Sequence, residues 1–124
     1  MVKMMVIVLL SALAGCEKPL YDQVMDIHDE VMPKMENIHK MKKSLQDSIV
    51  NTPGITKADS LLITDKILQL DSAYNSMMVW MREFNPPDQK DKEAFNKYME
   101  AELVKVKKMR SDVLRALATK EVQK

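Results

Sequence analysis

The chain reads as an all-α protein, an up-down-up antiparallel three-helix bundle, on three observations. Three long stretches carry apolar residues at alternating three- and four-residue spacing, the period of one helix face. Two short breaker clusters, Asn51-Thr52-Pro53-Gly54 and Asn85-Pro86-Pro87-Asp88, separate them. The composition is that of a helical protein: two glycines, 12 methionines and few aromatics among its 124 residues, with many Leu, Lys, Glu and Ala. Short connections between long amphipathic helices make sequence neighbours antiparallel.

Helix one is expected from about Tyr21 to about Ile49, with Val24, Ile27, Val31, Met35, Ile38, Leu45 and Ile49 on its inner face. Its acids (Asp22, Asp26, Asp29, Glu30, Glu36) come early and its lysines (Lys40, Lys42, Lys43) late, which complements the helix macrodipole. Pro33 interrupts this pattern. It removes one backbone donor and presses on the carbonyl of Asp29, so either the helix kinks there or two shorter helices meet with Pro33 in the first turn of the second.

Thr56-Lys57-Ala58-Asp59 has the form of an N-cap with an acidic residue three places on. Helix two follows to about Phe84, its seam formed by Ile63, Ile67, Leu70, Tyr74, Met77, Met81 and Phe84. Prolines 86 and 87 cannot continue it. Helix three is expected from about Lys90 to about Glu121, with Phe95, Met99, Val106, Met109, Val113 and Leu117 inward. At 1.5 Å per residue each helix is ~40 Å long.

Ahead of the bundle, Lys3 precedes the apolar run Met4–Leu10, which breaks off at Ser11 and Gly15. A spanning helix needs ~20 apolar residues; a cation, a short apolar run and a small-residue exit are instead the parts of a secretory signal. Leu13-Ala14-Gly15 directly before Cys16, the one cysteine, resembles the lipobox of bacterial lipoproteins. That resemblance implies cleavage before Cys16, diacylation of its sulfur and acylation of the new amino terminus. The organisation expected is a signal peptide at 1–15, a lipidated tether at 16–20 and the bundle at 21–124. Removing residues 1–15 leaves enough chain for one domain with its own core.

Thirty per cent charged residues and a net charge of +1 describe a well-solvated surface without a long-range field. This argues against nucleic acid as a partner, since a dedicated binder carries a clear basic excess. With Cys16 acylated no thiol remains for a disulfide, a metal or nucleophilic chemistry. Catalysis has little support: neither histidine has Ser or Thr at helical contact spacing to activate, and no Gly-rich loop exists to cradle phosphate. The chain is expected not to be an enzyme.

Antiparallel packing places Met25, His28 and Met32 level with Tyr74, Met77, Met78, Trp80 and Met81, and with Phe95, Tyr98 and Met99. This layer lies at the tether end; the far end carries the aliphatics Leu45, Ile49, Leu61, Leu62, Val113, Leu114 and Leu117. Along helix one, His28, Met32, Met35 and His39 form a ladder on one edge of the apolar face. Two readings fit the layer. Thioether and imidazole suit Cu(I), so His28, Met32, Met77 and Met81 are candidate ligands, with Trp80 as a cation-stacking face. The alternative assigns no cofactor: methionine fills an irregular core and contacts aromatic rings. His28 and His39 lie ~16 Å apart along the axis, too far to share one ion. Glu36-Asn37-Ile38-His39 is a single half of a di-iron signature, without its second copy; His28-Asp29-Glu30 points neighbouring side chains to different faces and is no chelate.

Lys40, Lys42 and Lys43 are expected level with Lys105, Lys107, Lys108 and Arg110. Together they would form a basic belt for an anionic partner. Alternatively, neighbours such as Glu100, Glu102, Asp65 and Asp112 balance them into a solvated surface.

The segment Val24–Met35 resembles a family of small Bacteroidetes lipoproteins, often labelled "viral A-type inclusion protein", and Met77–Pro87 resembles that family's second motif. With the lipobox, the resemblance covers most of the chain. It implies a lipid-anchored protein of the cell envelope and names no mechanism, but both motifs fall in the tether-end layer. The function expected is a non-enzymatic interaction or structural module with an envelope partner, held to a membrane by acyl chains. The alternatives are Cu(I) binding and an apolar-ligand groove opened at the Pro33 kink. The sequence leaves open which membrane and which face.

Overall fold

A computed structural model describes residues 17–118. Three α-helices fill most of that span: α1 (Leu20–Asn51), α2 (Lys57–Glu83) and α3 (Lys92–Leu117). Leu13, Ala14, Gly15 and Cys16 lie outside the described residues, as do the last residues expected in helix three. All three helix pairs pack against one another in the expected three-helix bundle. Side-chain contacts fix its directions. His28 meets Met81, and Lys42 meets Asp71, so α1 and α2 are antiparallel. Trp80 meets Glu102 and Lys66 reaches Ala118, so α2 and α3 are antiparallel too. Tyr21 stacks on Phe95 and Arg110 reaches Glu30, which leaves α1 and α3 parallel.

The residues just before α1 are tied to it by side chains. The Lys18 ammonium sits 2.7 Å from the Asp26 carboxylate, and its carbonyl accepts from the Gln23 side chain at 2.6 Å. The side-chain hydrogen bond to Asp26, followed by the charge of that carboxylate, raises the Lys18 pKa. Pro19 then starts the helix, its carbonyl accepting from the Gln23 backbone N–H. Val24, Ile27, Val31, Met35 and Ile38 are buried as their spacing requires. Leu45 packs partly against the core, and α1 runs on to Asn51. Pro33 stands inside one unbroken helix, not between two shorter ones. It lies on the exposed outer face, where its ring displaces no core side chain.

The 51–56 connection turns on Gly54, whose φ of 75° is a left-handed value that disfavours a side chain. Thr56 caps α2 reciprocally: its hydroxyl oxygen accepts from the Asp59 N–H at 3.1 Å and donates to the Asp59 carboxylate at 2.8 Å. The α2 seam differs from expectation by one step. Leu70, Ala73, Met77 and Trp80 are buried, whereas Tyr74 is 39% exposed. Alternating steps describe packing against a single partner, but α2 lies against two. Trp80 turns toward α3 and Met81 toward α1, so the buried stripe widens around Met77.

Asp91 caps α3 through the Ala94 N–H at 3.2 Å. Met99, Val106, Met109 and Val113 are buried as expected, joined by Glu102 and Ala116. Among the described residues α3 runs to Leu117, with Ala118 as its C-cap. Lys66 of α2 donates to the carbonyls of Arg115 and Ala118 at 3.4 and 3.0 Å, satisfying groups that a continuing helix would otherwise engage. Of the aliphatics expected at the far end, Leu45 and Leu117 pack against the core while others face solvent. Val113 is fully buried, but Leu61, Leu62 and Leu114 are 59%, 70% and 44% exposed.

Candidate functional site

The tether-end layer is where the polar and sulfur-bearing groups gather. Met77 and Met99 are essentially without solvent contact and Trp80 is buried. Full burial of such a side chain is worth about 2 kcal/mol, so this layer also carries much of the packing energy. The Trp80 ring lies 5.0 Å from Phe84, which lies 5.9 Å from Tyr98. Tyr98 closes the layer from below, its phenol oxygen accepting the Asn85 N–H at 2.8 Å as the chain leaves α2.

At the centre stands a carboxylate that was not among the expected site residues. Glu102 is 4% exposed. Its Oε2 accepts from the Trp80 indole N–H at 2.6 Å and its Oε1 from the Lys105 ammonium at 2.8 Å. Both oxygens are thus partnered, one from across the bundle and one from the next turn of α3. This hydrogen bond, and then the charge of Glu102, raises the Lys105 pKa. Two signals pointed to Glu102. It continues the Met99–Val106–Met109 spacing on the apolar face, and a tryptophan on a helix seam needs an acceptor for its N–H.

The four candidate metal ligands are distributed unevenly. His28, partly buried, places Nε2 3.3 Å from the Met81 sulfur, joining α1 to α2. Its Nδ1 lies 2.9 Å from the Asp29 carboxylate. These adjacent side chains do meet. Met32 packs partly against the core and Met77 is inside it. His39 is exposed, so the ladder along α1 divides into an inward histidine and an outward one. Glu36 pairs with Lys40 at 3.6 Å. Among the described residues no three His, Cys, Asp or Glu side chains converge on a point that would hold a metal ion.

The basic belt does not assemble. Tyr21 is level with Phe95, which puts Lys40–Lys43 opposite the last turn of α3 and about two turns beyond Lys105–Arg110. Members of the expected belt on both helices are also paired with acids. Lys42 meets Asp71, Lys105 meets Glu102, Lys108 meets Asp112 at 2.7 Å and Arg110 meets Glu30 at 3.2 Å. A surface depression of about 460 Å³ runs between α2 and α3, lined by Ser72, Ser76, Lys108 and Asp112, and lies outside the Met/aromatic layer.

Comparison with protein-family models, with curated proteins and with solved structures finds no match.

Proposed function

We propose that the protein is a lipid-anchored helical module of the cell envelope, non-enzymatic, that presents its bundle to an envelope partner. The observation that carries this reading is Leu13-Ala14-Gly15-Cys16, placed after a short apolar run and just before the bundle begins. The similarity of Val24–Met35 and Met77–Pro87 to small Bacteroidetes lipoproteins supports the same reading. Among the described residues no helix is long and apolar enough to cross a membrane; the proposal assigns attachment to acyl chains on Cys16. Two or more such chains give stable anchoring. The polar groups inside the bundle are engaged in joining helices, as Glu102 is with Trp80, which suits a structural module. A Cys16→Ala variant is expected to lose incorporation of labelled fatty acid and to leave the membrane fraction. Retention in that fraction would contradict the proposal.

One observation favours a second reading, Cu(I) binding near the anchor. His28 directs Nε2 at the Met81 sulfur while Asp29 holds Nδ1, the way a carboxylate orients a metal-ligating histidine. Met32 and Met77 lie one turn from His28 and Met81 by helical register. Titration of the bundle with Cu(I) against a competing chelator tests this. Binding that weakens in His28→Ala/Met81→Leu supports it, and equal behaviour of the two proteins rejects it.

A further inference from the structure

We propose that the tether end of the bundle is a membrane-docking surface. The bundle stands on end on phospholipid headgroups and meets them through Tyr21, Pro86, Pro87, Lys90 and Lys92. This inference rests on the acylation of Cys16 proposed above and adds to it an orientation and a contact face.

The length of free chain is the first support. Lys18 lies against the first turns of α1, its ammonium on Asp26 and its carbonyl on the Gln23 side chain. From Cys16 to Lys18 is two residues, which span ~7 Å at most. The headgroup region of one leaflet is itself only about 5–8 Å deep. A lipid on Cys16 therefore holds the start of α1 at the depth of the headgroups, with no linker on which the bundle could stand away.

The chemistry of that end is the second support. Tyr21 is 38% exposed and stacks on Phe95 at 6.4 Å, giving a ring with an apolar body and a polar tip at the outermost turn of α1. Such rings are favoured at a membrane–water interface. The 84–91 connection beside it carries the half-buried Pro86 and Pro87. Its two acids are turned onto backbone: Asp88 accepts the Lys90 N–H at 2.9 Å and Asp91 accepts the Ala94 N–H. Neither Lys90 nor Lys92 makes an ion pair among the described residues. Their ammonium groups remain for headgroup phosphates, although the exposed acids Asp22 and Glu93 in the first turns of α1 and α3 offset part of that charge. The flank of α1 nearest the tether is of opposite character, since Asp22, Asp26 and Asp29 follow one another along it. Laying that flank on the bilayer would set carboxylates against phosphates.

The test uses the natively lipidated protein in phosphatidylcholine vesicles containing a nitroxide-labelled headgroup lipid. Tyr21→Trp and Leu61→Trp each add one indole at an exposed site to the buried Trp80 common to both. Position 61 lies ~40 Å further along the bundle axis. The expected result is quenching several-fold stronger for the indole at 21 than for that at 61. Equal quenching at both positions, or none at either while the protein floats with the vesicles, would overturn the docking surface and leave the anchor standing. Failure of the natively processed protein to float with vesicles would overturn the anchor itself.

Discussion

Glu102 owes its place in the core to two donors, and each makes a separate claim. Replacing Trp80 by Phe keeps most of the ring's packing and removes the N–H that satisfies Oε2. A buried charged acceptor that loses a partner costs about 1.5–3 kcal/mol, so Trp80→Phe is expected to lower the urea midpoint accordingly. Trp80→Phe/Glu102→Leu is expected to recover part of that loss, because removing both partners leaves no orphaned group. The second donor bears on alkaline pH. The Lys105 pKa is raised in the folded protein above its usual 10.5, so its stabilisation is complete below 10.5 and is lost as pH climbs through the higher folded value. Denaturation of wild type and Lys105→Met should show a difference at pH 8 that closes above 10.5; a constant difference would contradict the pairing. Such details were only partly legible in the sequence. The spacing that marks Met99, Val106 and Met109 as core also passes through Glu102, but residue type argues the other way, since carboxylates are rarely buried without partners. What decides the matter is the Trp80 indole on another helix, a contact that helical period within α3 does not display.

At the scale of the helices, stops and starts were read better than faces. Thr56 and Asp59 announce the start of α2 because a cap is local chemistry, complete within four residues. The buried stripe of α2 is not local. A helix between two neighbours buries residues on both sides of its seam, so Ala73 and Trp80 enter the core and Tyr74 leaves it. The cap at the end of α3 is not local either, since the carbonyls of Arg115 and Ala118 are taken by Lys66, 49 and 52 positions earlier in the chain. Pro33 is the one place where an element carries a known cost without a visible return. It withholds a hydrogen bond from the Asp29 carbonyl in an otherwise continuous helix, and its exposed ring packs on nothing in the core. Pro33→Ala is expected to stabilise the bundle by about 1–3 kcal/mol, read as a higher midpoint in thermal or urea unfolding. A lower midpoint would mean that the proline shapes α1 in a way the bundle needs.

For the molecule as a whole, architecture followed from pattern: three amphipathic stretches and two short breakers leave few arrangements other than an up-down-up bundle. The height expected for His28 beside Met81 is also the one observed. The basic belt failed because heights were reckoned from equal helices. Instead α1 outruns α3 at the far end, and a slip of two turns separates the two lysine groups. Acylation of Cys16 remains the claim on which location, docking and presentation to a partner all depend. Intact-mass spectrometry of the protein extracted from its native membranes tests it most directly. The mass expected is that of a chain beginning at Cys16 plus its acyl groups; a chain that still carries Met1 and an unmodified thiol would contradict the account.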